Sequence, residues 1–302
     1  VSLYLKNNEF SNTEMAHLRL ALEEVSGIDL QQFFEQWFYQ PGHPRISYES
    51  EYDSINGTFN LQISQEHAFQ QKFQAPFSFP IKMGYVIQGS YKEYEIFMTQ
   101  ENEQISIALP SPPEFVIIDP QLNLLAEYTV NYSFSEWEKL LSLPVNMGWK
   151  IRSMETLLLS TEDGYKEKTI RWGLQNASPT LRELALHAIE NSNWSGLEDT
   201  LFKISELDQS AVIRAVAWRV LKDLSIKKDS KYLFDRLSKE NNPKVIAEII
   251  QTISLQSSGL KEMYWIDSFE NHTESVIIEA LGKIYKQWKA VDKLSFFENH
   301  LY

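Results

Sequence analysis

The chain has no cysteine. Disulfides, thiolate nucleophiles and cysteine-based zinc or iron–sulfur sites are therefore excluded, while the compartment stays open, because a periplasmic protein can also lack cysteine. No apolar run approaches the roughly 18 residues needed to cross a bilayer. Positive charge is scarce: 28 Lys and Arg face 41 Asp and Glu, a net charge of −13. Such a surface repels phosphate backbones and anionic lipid, so no nucleic-acid partner and no membrane span are expected. An initiator Met is missing too, and Val1, Leu3, Tyr4 and Leu5 open inside a helical pattern. That start reads as an excised piece of a longer protein, which makes the lack of a targeting segment uninformative. A soluble protein, cytoplasmic or periplasmic, is expected. What is present in quantity is apolar mass: 43% of 302 residues are hydrophobic and 13% aromatic. This is enough for substantial cores, in two domains with a fragment of a third at roughly 150 residues per domain.

The densest local specification lies in residues 21–44. Met15, Leu18, Leu22 and Val25 recur at helical spacing, after possible caps at residues 11–14, and Ser26-Gly27 ends that helix. Asp29 is placed to cap a second helix, on which Leu30, Phe33, Phe34, Trp37 and Phe38 form one wide aromatic face. Pro41-Gly42-His43-Pro44 then leads into extended chain. So large a face on so short a helix demands a bigger partner than residues 1–42 supply.

From Arg45 the period changes from helical to alternating. Ile46, Tyr48 and Tyr52 mark a strand, Asn56-Gly57 a hairpin turn, and Phe59, Leu61 and Ile63 the return. A polar loop at residues 66–74 precedes segments at 77–81 and 84–87. Gly89-Ser90 turns into Tyr91, Tyr94, Ile96 and Met98, and Glu101-Asn102 into Ile105, Ile107 and Leu109; residues 115–118 and 124–130 follow. About seven short strands of this kind predict an all-β sandwich at residues 45–133. Pro76, Pro80, Pro110, Pro112 and Pro113 belong at its edges and loops.

From Phe134 onward the pattern is helical and repeats itself. Leu181-Arg182-x-x-Ala185-Leu186-x-x-Ile189 aligns with Ile213-Arg214-x-x-Ala217-Trp218-x-x-Leu221. The series continues as Val245-Ile246-x-x-Ile249-Ile250-x-x-Ile253 and Val276-Ile277-x-x-Ala280-Leu281-x-x-Ile284, at offsets of 32, 32 and 31 residues. Second helices fall near residues 197–207, 231–239, 260–269 and 291–300. Paired helices at this period predict an all-α HEAT-like helical-repeat domain, an α-solenoid, at residues 134–302.

The residues of catalytic chemistry do not assemble into a recognisable motif. His17, His43, His67, His187, His272 and His300 are never followed by Glu and never lie within four residues of one another, so H-E-x-x-H and close zinc pairs are absent. Glu23-Glu24 and Glu162-Asp163 are sequence neighbours that point about 100° apart on a helix, and both read as solvated rather than as carboxylate dyads. There is no glycine-rich phosphate loop, G-x-S-x-G elbow or dinucleotide fingerprint. Asp119-Pro120 reads as the turn ending a buried strand, and the eight tryptophans mostly as core, Trp218 among them. No catalytic and no metal-ligating residue is assigned, and the substrate-binding residues are unknown.

The run Ala21-Leu22-Glu23-Glu24-x-Ser26-Gly27-x-Asp29-Leu30-x-x-Phe33-Phe34-x-Gln36-Trp37, followed by Pro41-Gly42-x-Pro44, resembles the end of the thermolysin-like catalytic domain in aminopeptidase N-type zinc metallopeptidases, a gluzincin family. The order that follows is also similar to that family, and residues 113–128 resemble the closing strands of its β-sandwich. The resemblance implies that residues 1–44 are an α-helical remnant of the catalytic domain. The family's zinc motif with its downstream Glu, its G-A-M-E-N-type loop and its transition-state Tyr all lie upstream in family order and do not occur here. No cofactor is therefore expected in this chain, while zinc is implied for the full-length parent, where it would polarise the attacking water with Glu as general base.

The resemblance thus implies the non-catalytic C-terminal region of an aminopeptidase. Its sandwich would serve as a spacer and its helical domain would cover the active-site cleft, with peptide substrate reached only through the missing catalytic domain. Arg171, Arg182 and Arg214 are candidates, by charge alone, to hold the peptide's far end; ion pairing within the fold is the simpler role for each. The alternative is a HEAT-like interaction scaffold from a catalytically inactive relative. A carbohydrate-binding β-sandwich would explain the aromatics but not residues 21–44. The face of residues 30–38, expected to be partly uncovered in an isolated fragment, would promote its self-association.

Overall fold

Two helices, α1 (Ser2–Asn7) and α2 (Met15–Ser26), open the chain. Gly27 ends α2 in the left-handed conformation at φ +70°, its N–H donating to the Glu23 carbonyl at 2.8 Å. The Asp29 side chain accepts the Gln31 N–H at 2.8 Å at the start of α3 (Gln31–Phe34). The helix then widens into a π-helical turn over Glu35–Tyr39. This computed structural model describes residues 1–67, 75–161, 164–190, 196–225, 227–256 and 263–300. The chain divides into two units, Val1–Lys150 and Ile151–Tyr302.

In the first unit β1 (Pro44–Asp53) and β2 (Thr58–His67) form the expected hairpin across Asn56-Gly57. A second hairpin joins β3 (Phe79–Ile87) to β4 (Ser90–Met98). Its two central residues, Gln88 and Gly89, both have positive φ, as the twist of a two-residue turn requires. With β5 (Asn102–Ala108), β6 (Phe115–Ile118) and β7 (Glu127–Tyr128), the strands make a four-stranded sheet, β5-β2-β1-β7, and a three-stranded sheet, β4-β3-β6. β7 runs parallel to β1. Ile46, Phe59, Leu61 and Ile63 from one sheet share a buried core with Phe79, Ile81, Met83, Ile96 and Ile118 from the other. Residues 77–78 were expected in the third strand but precede it. Gln65 takes over Phe77: its Oε1 accepts the Phe77 N–H at 3.1 Å and its Nε2 donates to the Phe77 carbonyl at 2.8 Å. The expected loop at 66–74 lies, beyond His67, outside the described residues.

Helices α4 (Phe134–Ser142) and α5 (Met147–Leu158) follow, and the division between the units falls within α5. Ser133 caps α4, and Glu136 reaches back to the Ser133 N–H at 2.8 Å. The second unit continues with α6 (Tyr165–Leu174), α7 (Pro179–Glu190), α8 (Glu198–Leu207), α9 (Ala211–Asp223), α10 (Ser230–Lys239), α11 (Pro243–Gln256), α12 (Met263–Asp267), α13 (Ser275–Gln287) and α14 (Leu294–His300). α7 packs on α9, α9 on α11 and α11 on α13, while α6, α8 and α10 pack on α7, α9 and α11. Leu181, Ile213, Val245 and Ile277 are all buried. The last block therefore starts one residue later than the sequence alignment placed it, at a constant 32-residue spacing. The helix expected near 260–269 is described only from Met263.

The expected succession of an all-β sandwich and an all-α solenoid is corrected: the chain is mixed α/β, with two small sheets and many helices. Its first unit interleaves the two kinds of element in one core. Trp37 of the π turn packs on Phe77 and Phe79, at ring distances of 5.0 and 6.4 Å, against the core the sheets share. From the other side in sequence, Trp137 packs on Tyr132 at 5.0 Å and Trp149 on Tyr128 at 5.5 Å. Such aromatic pairs add about 0.5–1.5 kcal/mol each beyond their burial. Local periodicity marks where helix gives way to strand, but not which core a helix joins.

Candidate functional site

The π turn decides where the aromatic residues go. One extra residue per turn breaks the single face expected for Leu30, Phe33, Phe34, Trp37 and Phe38. Phe34 is buried and stacks on Phe38 at 4.6 Å, while Trp37 turns to the sheets. Phe33 and Phe38 remain 49% and 47% exposed. The face is thus covered in part within the chain, Phe34 buried and Trp37 half-buried against the sheets, while Phe33 and Phe38 stay exposed. Gln36 fixes the arrangement: its amide takes both backbone groups of Ser78, at 2.6 and 3.0 Å.

Between this helix and the sheets lies a groove of about 510 Å³. Phe33, Trp37, Phe38, Phe79 and Leu125 give it apolar walls, and Lys82, Glu95 and Asp119 add polar lining. Lys82 is paired with Glu93 at 3.0 Å, so it is not a free charge in the groove. Asp119 is the most heavily used residue of the lining. It sits at φ +48°, 3% exposed. Its carboxylate accepts the N–H groups of Asn123 and Leu124 at 3.0 Å each and the Tyr128 hydroxyl at 2.5 Å. Its backbone N–H donates to the Lys82 carbonyl at 2.7 Å, and its carbonyl accepts Trp149 Nε1 at 2.9 Å. Burial, and then the Asp119 carboxylate, push the Tyr128 phenol well above its ordinary value. A carboxylate that takes three donors from its own loop organises the turn after β6, a structural role. The groove suits an apolar ligand better than it suits catalysis.

The histidines are dispersed. His17 Nδ1 accepts the Glu14 N–H at 3.0 Å in front of α2, and His43 Nε2 meets Glu127 of β7 at 2.8 Å. The His43 ring, then Arg45, hold the Glu127 carboxyl below the usual carboxylate range. His67 meets the Ala75 carbonyl, His187 meets Glu190, His272 meets Glu274 and His300 meets the Phe296 carbonyl. Glu23 is not merely solvated: Oε1 accepts Arg19 at 2.7 Å and the Leu30 N–H at 2.9 Å, tying α2 to the start of α3. Glu162-Asp163 lies outside the described residues.

The three arginines singled out by charge are all engaged. Arg171 pairs with Glu167 one turn earlier on α6. Arg182 makes a two-pronged pair with Asp208, at 2.6 and 2.8 Å, and donates to the Asn176 and Ala177 carbonyls. Arg214 does the same to Glu240, at 2.9 Å twice, and donates to the Asp208 carbonyl. Arginine and acid are 26 residues apart in both pairs, an arrangement the 32-residue offset between Arg182 and Arg214 already hinted at. Gln36, Gln65 and Tyr128 escaped the sequence reading. A glutamine inside the aromatic run was the one available signal.

Among the described residues, no group of three or more His, Asp and Glu side chains is placed to hold a metal ion. In the second unit the carboxylates of Asp267 and Glu270 are bridged by Lys293 at 2.8 and 2.9 Å and by the Tyr285 hydroxyl. These residues do not fit a zinc site. Among the described residues, no helix is long and apolar enough to cross a membrane.

No family model matches the sequence. No curated protein matches it either. Among solved structures, the fold is similar to the crystal structure of Legionella pneumophila aminopeptidase A in complex with aspartic acid, at a TM-score of 0.53 and 13% identity. That alignment covers 94% of this chain and 44% of the aminopeptidase, so the chain spans less than half the length of that protein. The likeness, at this identity, is one of fold: the chain folds like part of an aminopeptidase.

Proposed function

We propose that this chain is a non-catalytic region of a zinc-dependent aminopeptidase of the N-type family, working beside a catalytic domain that holds the metal. The observation that carries the reading is the lopsided fold likeness, nearly all of this chain against 44% of an aminopeptidase. The run from Ala21 to Pro44 supports it from sequence. On this reading the first unit is a spacer and brace, and the second limits access to the cleft of the parent. Peptide substrate and zinc belong to the parent.

The test compares this chain with the full-length protein, by metal analysis and by hydrolysis of an aminoacyl reporter. The full-length protein is expected to carry one zinc and cleave the reporter, and this chain to do neither. A tightly held equivalent of zinc on this chain alone would overturn the division of labour. A full-length protein with neither zinc nor activity would overturn the enzymatic reading in favour of an interaction role.

A further inference from the structure

β1 is an inner strand for only part of its length. β7 pairs with it at Arg45 and Ile46 alone, and beyond them the Thr129 N–H donates to the Ile46 carbonyl at 2.9 Å. Within a strand, a residue's N–H and C=O share one edge and alternate residues use opposite edges. Ile46 therefore faces β7, and Tyr48, Ser50 and Tyr52 present their backbone groups on that same edge. Their cross-strand neighbours in β2, Ile63, Leu61 and Phe59, occupy the pairs without hydrogen bonds. Among the described residues, no bond from residues 130–132 reaches the backbone of Tyr48, Ser50 or Tyr52. The result is an open strand edge about 13 Å long.

A cavity of about 330 Å³ lies along this edge, lined by Tyr48, Ser50 and Tyr52, by residues 112–116 leading into β6, and by Val130, Asn131 and Tyr132 after β7. It is preformed. The Tyr48 hydroxyl is tied to the Val116 carbonyl at 2.9 Å and the Tyr52 hydroxyl to the Leu109 carbonyl at 3.0 Å. Its lining includes Glu51, Glu114 and Glu136 and no Lys, Arg or His. Glu114 accepts the Gly89 N–H and Glu136 the Ser133 N–H, neutral donors that leave both charges in place. Lys139 donates to the Glu114 carbonyl at 3.2 Å, outside the lining. Free strand edges are commonly blunted by lysine or proline. β1 has neither between Arg45 and Asp53; it carries Glu49 and Glu51, whose charge repels a second copy of the same edge.

We propose that the edge of β1 at Tyr48, Ser50 and Tyr52 is a strand-addition site for an extended basic peptide. The peptide backbone pairs with Ser50 and Tyr52, and its lysine or arginine side chains meet Glu51, Glu114 and Glu136. Main-chain bonds supply affinity in this mode, and the flanking side chains supply selectivity. The site lies wholly in the first unit and does not depend on the aminopeptidase reading.

The experiment follows backbone amide exchange in this chain with and without a capped peptide of alternating lysine and valine, with a glutamate–valine peptide as control. Saturation with the lysine peptide is expected to slow exchange at Ser50 and Tyr52 by about tenfold or more, as a new ladder would. Ser50→Pro removes an N–H that the β2 ladder does not use, a placement edge strands tolerate. It should keep the far-ultraviolet circular dichroism and weaken binding by about tenfold. Glu51→Lys should weaken it several-fold. Unchanged exchange at Ser50 and Tyr52 under saturating peptide would overturn the site, as would wild-type affinity in folded Ser50→Pro. Equal binding of the glutamate peptide would overturn the basic partner.

Discussion

Gln36 and Ser78, 42 residues apart, exchange two hydrogen bonds: the Ser78 N–H donates to Gln36 Oε1 at 2.6 Å, and Gln36 Nε2 donates to the Ser78 carbonyl at 3.0 Å. A side-chain amide here replaces a neighbouring strand, and it docks the aromatic helix onto the sheet unit. Gln36 is buried, and removing its amide leaves two part-buried backbone groups of Ser78 without their partner. Gln36→Met, which keeps the volume and drops the polar atoms, should destabilise the first unit by about 1–3 kcal/mol. Urea unfolding measures the loss, and the Ser78 amide should lose exchange protection first.

Asp119 organises its turn through charge and through shape. Asp119→Ala removes the acceptor for three donors and places alanine at positive φ, a cost of about 3 kcal/mol. Asp119→Asn keeps one acceptor oxygen and tolerates the left-handed conformation, so it should cost less. In Asp119→Asn the Tyr128 phenol should titrate lower than in the parent chain yet above a free tyrosine, because burial is the larger cause of its shift. Ultraviolet titration of the tyrosinate band reads this directly. A Tyr128 titration unmoved by the substitution would contradict the assigned hydrogen bond.

Glu240 reports on the arginine ladder. Burial pushes its carboxyl up, but hydrogen bonds from Arg214 and the Asn242 N–H outweigh it and leave the net value below the ordinary one. A carboxyl depressed in the folded state contributes stability that is fully present above its unfolded value and lost as pH falls through the folded one. Stability should therefore decline on the acid side. In Arg214→Ala the Glu240 carboxyl should titrate higher, and the acid limb of the stability curve should flatten. Carbon-13 carboxyl titration and unfolding midpoints across that range test both halves.

Arg182 and Arg171 should separate cleanly. Arg182→Lys loses the two-pronged fit to Asp208 and the reach to both loop carbonyls, at about 1–3 kcal/mol. Arg171→Ala breaks an exposed pair within one helix and should cost under about 0.5 kcal/mol. Thermal unfolding of the two variants decides whether the ladder is structural.

Much of the local structure was legible. Asn56-Gly57 placed the first hairpin, the alternation of Phe59, Leu61 and Ile63 placed its buried side, and the 32-residue recurrence placed α7, α9, α11 and α13. The register of α13 was read one residue early, because Val276 and Ile277 are equally apolar and only packing distinguishes them. The π turn was not legible: a helix containing Phe33, Phe34, Trp37 and Phe38 scores as one apolar stripe at 3.6 residues per turn. The candidate groove depends on that turn and on Asp119, whose partners run from Lys82 to Trp149.

The sequence by itself determined what is local or compositional: the acidic balance, the absence of thiol chemistry, the change from period two to period 3.6, and the places where glycine turns the chain. Only the tertiary structure decided which faces meet. It sent Trp37 to the sheets and left Phe33 exposed, bound each candidate arginine to an acid, and, among the described residues, paired the far half of β1 with β2 alone. The physical reason is that periodicity follows from backbone geometry within a few residues. Partners of Gln36, Asp119 and Arg182 are instead chosen by the requirement that buried polar groups be paired, over separations that no local pattern records.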